Sequence, residues 1–254
     1  MRSMPVLATD ALVLRTYKLG ESSRIVVLLT RERGKLRAVA KGARGPRSRY
    51  QSALETLSEV RATLYGRQGA ELLRLGSCEL LRSAFPARSR SLDAGLALSY
   101  YAELLDGFAQ EGEAEDAVYR LAVAVVRAGE AGADAAVLAR YLEAWLLRLH
   151  GLYPPIDACA SCGRPLVTGA LRYHAAARGF VCDDCGPAAG PALPAEARAF
   201  LVDVFRQAPA ALKGPLPAEA AVLEPFHQEL ITHHLERALK SQRVLKEIAR
   251  ETGR

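Results

Sequence analysis

The apolar positions of this chain change period once, near Ser89. Before that point, "VLATDALVLRTY", "SSRIVVLLT" and "GKLRAVAKG" are short, rich in apolar and β-branched residues, and separated by the turn-like "KLGE" and "RERG". Such segments predict strands, the second and third forming a hairpin in which Gly34 relieves the turn. Past the loop "GARGPRSRY" come "ALETLSEVRATLY" and "AELLRLGSCELL". Five strands at this spacing predict a small closed barrel, since a sandwich needs more. The Leu and Ala content of the last two leaves helix as an alternative there.

After the change, Leu92, Leu96, Tyr100, Leu104 and Phe108 recur every four residues, which is one face of a helix. A second helix is predicted over "EDAVYRLAVAVVRAG", ending at Gly129. A third is capped by Asp134, carries Val137 to Leu149 and ends at Gly151. Helices resume at "LPAEARAFLVDVFRQA". The last spans "EPFHQELITHHLERALKSQRVLKEIARE", with Ile231, Leu235, Ala238, Leu239, Leu245 and Ala249 on one face. Adjacent His233 and His234 point about 100° apart and are read as one core-facing and one surface residue. The expected organisation is a barrel over 1–82, a helical domain from 83–150 and 187–254, and an inserted module at 151–186.

Charge alters the picture of the barrel. Residues 1–82 hold 16 Lys/Arg against 7 Asp/Glu, a net of +9, whereas 83–150 hold 6 against 10, a net of −4. Residues 31–50, "RERGKLRAVAKGARGPRSRY", contain eight bases and one acid. A period of two along "GKLRAVAKG" sends Leu36, Ala38 and Ala40 to one face, and Lys35, Arg37 and Lys41 to the other with Val39 between them. Arg31 and Arg33 precede this strand; Arg44, Arg47 and Arg49 follow it, with Tyr50 placed to stack on a base. The pattern points to a polyanion tracked along its phosphates, against the plainer reading of a solvated strand.

Four of the five cysteines follow C-x2-C-x19-C-x2-C: Cys159, Cys162, Cys182 and Cys185. Paired Cys-x-x-Cys loops, each followed by glycine, are the spacing of a tetrahedral zinc site. Four thiolates close the coordination sphere, so one structural zinc per chain is expected, with His174 left out of it. Cys78 is read as a structural thiol. No H-E-x-x-H, G-x-S-x-G or phosphate-loop pattern is present, and no acid–base pair stands out; the chain is read as not an enzyme. Neither an export signal nor a membrane-spanning run is evident, which makes the cytoplasm the expected compartment.

The run "LVLRTYKLGESSRIVVLLTRERGKLRAVAKGARGPRSRY" resembles the N-terminal signature of the RecO family of recombination mediators. "LRLHGLYPPIDACASCGRPL" resembles that family's entry to a zinc module, and "HHLERALKSQRVLKEI" its closing helix. The resemblance implies an α+β multidomain chain: an OB-fold barrel, then an α-helical domain with an inserted four-cysteine zinc finger. It implies binding of single- and double-stranded DNA, strand annealing, and help in loading RecA recombinase onto strands coated by single-strand-binding protein. It further implies a RecR partner, an acidic single-strand-binding-protein tail as ligand, and a nucleoid-associated cytoplasmic protein. By position, Arg15, Lys18, Arg24, Lys35, Arg37, Lys41, Arg44, Arg47 and Arg49 become the DNA-contact candidates. Cations for the acidic tail are offered by Arg198 and Arg206 or by Arg237, Lys240 and Arg243. The alternative is a zinc-ribbon transcription or translation factor, which the balanced charge of 151–186 disfavours.

Overall fold

The computed structural model describes residues 6–45, 48–67, 69–167, 169–186, 192–242 and 244; Arg47, Arg243, Leu245 and Ala249 lie outside the described residues. The chain divides into two compact units, 1–131 with 238–254, and 132–237.

In the first unit, β1 (Val6–Leu19), β2 (Ser23–Thr30), β3 (Gly34–Ala40), β4 (Glu59–Tyr65) and β5 (Leu73–Arg82) close into a barrel in the order β1-β2-β3-β5-β4. This is the OB-type architecture expected from the sequence. The long β1 serves two neighbours. Its first half pairs with β4 and its second with β2, with a bulge between Val13 and Arg15 where the strand turns the corner. Period-two alternation sends Ala11, Val13, Val26, Leu28, Ala38, Ala40, Val60, Ala62, Leu64 and Leu75 into one core. The fourth predicted strand begins later than expected, at Glu59. "QSAL" (51–54) forms one 3-10 turn instead, and Tyr50, Ala53 and Leu54 plug the barrel beneath it. Cys78 borders the same core, and burial pushes its thiol up to about 11, in keeping with a structural role.

Closure is incomplete at one place. β3 meets β5 in parallel only at Ala38 and Val39, so the backbone of Gly34 to Arg37 lacks a strand partner on that side. The loop after helix α2 supplies one: Lys35 N–H donates to Gln110 O (2.8 Å), and Gly112 N–H donates to Lys35 O (3.2 Å). Short α1 (Phe85–Arg88), α2 (Leu92–Phe108, capped by Ser91) and α3 (Asp116–Glu130) pack around the barrel. α3 runs through Gly129, where the sequence predicts its end, and the chain turns at Gly132 with φ +91°. Arg127 fixes α3 to β4 through a two-pronged contact with the largely buried Glu59 carboxylate (3.0 and 2.7 Å).

The second unit holds α4 (Ala135–Leu149), a three-stranded sheet of β6 (Leu171–His174), β7 (Gly179–Val181) and β8 (Ala192–Leu193), then α5 (Ala195–Arg206) and α6 (Leu223–Leu235). Asp134 caps α4 as expected, accepting from Ala136 N–H and Val137 N–H at 3.0 Å. Inside, the fully buried Glu143 accepts from Arg140 (2.7 Å) and faces His227 Nδ1 (2.9 Å), whose Nε2 meets the Tyr153 hydroxyl (2.9 Å). Burial holds His227 below its ordinary range, so the neutral ring links carboxylate to phenol. The buried charge of Glu143 is therefore paired and hydrogen-bonded rather than stranded.

The closing helix is broken, contrary to the sequence reading. α6 stops at Leu235, Glu236 turns with φ +53°, and helix resumes only at Lys240. The restart is capped by the Glu103 carboxylate, which accepts from Lys240 N–H (3.0 Å) and Ser241 N–H (2.8 Å). His233 and His234 are both exposed, so neither is the core residue expected.

The contact at β3 leaves no room for a side chain on Gly34. With φ +55°, an added Cβ would lie 2.1 Å from Glu113 O and 2.7 Å from Gln110 O, both backbone atoms. Gly34→Ala is expected to destabilise the protein by about 3 kcal/mol, from backbone strain and overpacking together. Urea denaturation measures it; a midpoint equal to that of the wild type would show that the loop does not close this edge.

Candidate nucleic-acid interface and metal centre

The basic candidates fall into two sets, divided by what faces them. At the Gly34 end of the sheet the cations are already matched by acids of the same unit. Arg15 pairs with Asp106, Arg31 with Asp116 (2.8 Å), and Arg37 with Glu111 (2.6 Å). Lys35 donates to Asp106 O (2.6 Å) with its side chain only 12% exposed, so it is not the solvent-facing residue the alternation predicts. The acids come from the end of α2, its following loop and the start of α3, drawn in by the backbone contact at β3. Arg31 in turn holds the Asp116 carboxyl below its usual range.

At the other end of β1, β2 and β3 the cations face no acid in an ion pair among the described residues. Lys18 and Arg24 are cross-strand partners, Arg24 is opposite Ala40, and Lys41 follows directly. Arg44 is folded back onto the β1–β2 turn: its N–H donates to Ser22 O (3.0 Å) and its guanidinium to Gly20 O (2.8 Å). Arg24 reaches only the Thr16 hydroxyl (3.2 Å). Glu21 is the one acid in the turn and lies exposed beside them. Lys18, Arg24, Lys41 and Arg44 thus gather at one end of the barrel with their charge unanswered. Arg33 is also exposed and unpaired, but it sits at the opposite end.

Tyr50 is not available for stacking. It is 1% exposed, and its hydroxyl donates to Leu75 O (3.0 Å) inside the barrel. Arg49 covers it, with a guanidinium 5.0 Å from the ring centroid and 2.9 Å from the hydroxyl. The aromatic residue in the basic loop is a plug, a role its position after "GARGPRSR" does not reveal. Arg74 is an exposed cation that sequence reasoning misses. It lies outside the basic run, and only the pairing of β5 with β3 brings it opposite Val39.

The four cysteines converge. Their sulfurs all lie within 4.8 Å of one another, with Cys162 and Cys182 Sγ 3.8 Å apart. A tetrahedral ion with Zn–S bonds of about 2.3 Å needs sulfurs about 3.8 Å apart, so the donor set fits. The first loop turns as the glycine predicts: Gly163 has φ +72° and its N–H donates to Cys159 O (2.9 Å). In the second loop Cys185 N–H donates to Cys182 O (3.1 Å). Cys182 N–H also donates to Cys159 Sγ (3.4 Å), and backbone donors of this kind pull that thiol down to about 6. A thiolate is therefore favoured first at Cys159, whereas contact with Cys162 and Cys182 pushes the Cys185 thiol up to about 12. His174 stands outside this cluster.

A cavity of about 640 Å³ opens in the second unit, floored by Ile156, Val202 and Phe205 and edged by Arg148, Arg198 and Arg206, with Asp157 its one acid. Arg148 lies 4.4 Å over the Phe205 ring, and Arg198 is 9% exposed with Nη1 unpartnered. Among the described residues, no helix is long and apolar enough to cross a membrane.

Comparison with known proteins agrees with this geometry. The family model "Recombination protein O N terminal" matches residues 4–84, and "Recombination protein O C terminal" matches 89–243. The chain is 36% identical over 241 residues to the DNA repair protein RecO of Anaeromyxobacter sp. (strain K), covering 93% of this chain and 94% of that one. It is 35% identical over 242 residues to the DNA repair protein RecO of Koribacter versatilis, covering 94% and 98%. Against the DNA repair protein RecO of Pelotomaculum thermopropionicum the identity is 32% over 247 residues, covering 94% and 93%. A closed five-stranded barrel, a helical segment and a four-cysteine cluster, in this order and across nearly the whole chain, mark the protein as a member of the RecO family of DNA repair proteins.

Proposed function

We propose that this chain is a non-enzymatic recombination mediator that binds single- and double-stranded DNA through the end of its barrel that carries the β1–β2 turn and the residues following β3. It would anneal complementary strands there and, together with RecR, help load RecA recombinase onto coated single strands. One observation carries the reading: Lys18, Arg24, Lys41 and Arg44 gather without ion-pair partners while neighbouring cations are neutralised within the unit. Pairing some cations with the protein's own acids and leaving others bare is what a surface awaiting phosphates would do. Arg49 and Arg74 extend the surface, Arg33 stands apart at the opposite end of the barrel, and the paired Arg15, Arg31, Lys35 and Arg37 serve mainly to hold the helices. The arginine-edged cavity suits the acidic, apolar-ended tail of a single-strand-binding protein, with cations for carboxylates and Phe205 for an apolar terminus. The cysteine cluster is read as a structural zinc site held by Cys159, Cys162, Cys182 and Cys185.

Replacing Lys18, Arg24, Lys41 and Arg44 together by alanine is expected to weaken binding on every sequence. It should also make the log–log salt slope on single strands shallower by up to about 3 units, at roughly 0.7 per phosphate. The pair Lys35→Ala and Arg37→Ala should move the slope much less and instead lower the melting temperature. Equal slope changes in both variants, or none in the first, would contradict the assignment.

For the metal, elemental analysis should find about one zinc per chain, and its removal should unfold the module, since such sites couple on the order of 10 kcal/mol of binding to folding. Zinc-free protein with an unchanged melting temperature would refute a structural site. For the tail, calorimetry with a tail peptide should show one saturable site, weakened at least about tenfold by Arg206→Glu. Wild-type affinity in that variant would place the peptide elsewhere.

A further inference from the structure

The outer face of the barrel is covered in one row and bare in the next. Where Arg15, Val27 and Arg37 stand side by side, the face is closed: Val27 is 2% exposed, Arg15 lies on Asp106 and Arg37 on Glu111. The following row runs Tyr17, Ile25, Val39 and Arg74 across β1, β2, β3 and β5. Cross-strand partners share a face, and Val39 alternates with the fully buried Ala38 and Ala40, so the whole row points outward. Among the described residues Tyr17 remains 44% exposed. Ile25 and Val39 beside it are only partly buried.

From this arrangement we infer that the bare row is a stacking platform for unpaired bases, with Tyr17 as its aromatic surface. The inference rests on the DNA-binding reading above and adds to it the source of a preference for single strands. Strands about 4.8 Å apart set the side chains of Tyr17, Ile25 and Val39 next to one another as a short apolar strip on which a base can lie flat. The Arg15 guanidinium, tied to Asp106, lies over the Tyr17 ring at 5.5 Å from its centroid and orders it before any ligand arrives, so a base would take the ring's other face.

Charge selects the occupant. Arg74 ends the row and Lys41 follows β3 beyond Val39, while Lys18, in register with Arg24 and the buried Ala40, stands at the adjoining rim; none of them is in an ion pair among the described residues. An apolar partner surface covering so small and cation-edged a strip would leave those charges unanswered, whereas a phosphate backbone answers them and its unpaired bases fill the strip. A duplex presents the same phosphates, but its bases are stacked within the helix and cannot reach Tyr17. The free cations therefore serve both forms of DNA, and the platform serves only one.

The test compares Tyr17→Ala and Tyr17→Phe with the wild type by fluorescence anisotropy. The probes are a mixed-sequence single strand, the same strand with consecutive abasic sites, and its duplex. Tyr17→Ala should weaken single-strand binding by about 5- to 100-fold, the range of one lost base–aromatic stack, with an unchanged salt slope. Duplex affinity should stay within about twofold of wild type, Tyr17→Phe should restore single-strand binding, and the abasic strand should bind wild type and Tyr17→Ala alike. Tyr17→Ala equal to wild type on the single strand, an equal loss on single strand and duplex, or no rescue by phenylalanine would each overturn the platform. If wild-type protein bound neither probe in a salt-dependent way, the DNA-binding reading itself would fall. A normal wild-type slope with an inert Tyr17 would remove the platform alone.

Discussion

Lys35 exchanges two backbone hydrogen bonds with the loop after α2, and much of the barrel's charge distribution follows from them. β5 reaches β3 only at Ala38 and Val39, so the first half of β3 would otherwise expose unpaired peptide groups next to an apolar core. Once the loop fills that edge, Asp106, Glu111 and Asp116 are brought against Lys35, Arg15, Arg37 and Arg31. The acids of one segment are thereby neutralised by the bases of another. Apart from Arg33, the cations of β1 to β3 that stay unneutralised, Lys18, Arg24, Lys41 and Arg44, lie at the far end of the strands. An uneven charge distribution along the chain becomes an uneven distribution over the barrel surface, and backbone pairing decides where each part goes.

Much of this organisation is legible in the chain. Strand alternation in "GKLRAVAKG" identifies the correct inward face of β3, because the small side chains of Ala38 and Ala40 are where the barrel core needs them. Asp134 announces the start of α4, and the cysteine spacing announces the cluster. The departures share a cause: each turns on a contact distant in sequence. Lys35 looks solvent-facing because nothing near it in sequence foretells Asp106. Tyr50 looks like a stacking residue because its partner is the carbonyl of Leu75, a β5 residue 25 positions on. The closing helix looks continuous because its apolar period persists through Glu236, where the backbone turns over and Glu103 caps a new start. Tyr17 draws no notice because an exposed aromatic is identified only once its strand neighbours are known.

The second unit follows a different logic. Its interior is held by a paired charge, Arg140 to Glu143, extended through His227 to Tyr153 at the approach to the cysteines. Breaking one member would strand a buried charge, which costs far more than an exposed pair is worth. The four sulfurs converge in a loop-rich stretch whose buried apolar residues include Leu171, Phe180 and Val181. There an apolar core that includes Leu142, Leu146, Leu201 and Leu223 is joined by directed polar contacts and a cysteine cluster fit for a metal, whereas the barrel relies on an alternating apolar face.

On the proposed DNA-binding function the barrel's lysines differ in kind: Lys35 is engaged within the fold, whereas Lys18 and Lys41 await a polyanion. Amine-acylation footprinting by mass spectrometry tests it on the unmodified protein, with and without saturating single-stranded DNA. Lys18 and Lys41 are expected to react readily in the free protein and to be protected by DNA, while Lys35 reacts slowly in both states. Lys35 as reactive as Lys18 in the free protein, or Lys18 and Lys41 undiminished under saturating DNA, would contradict it.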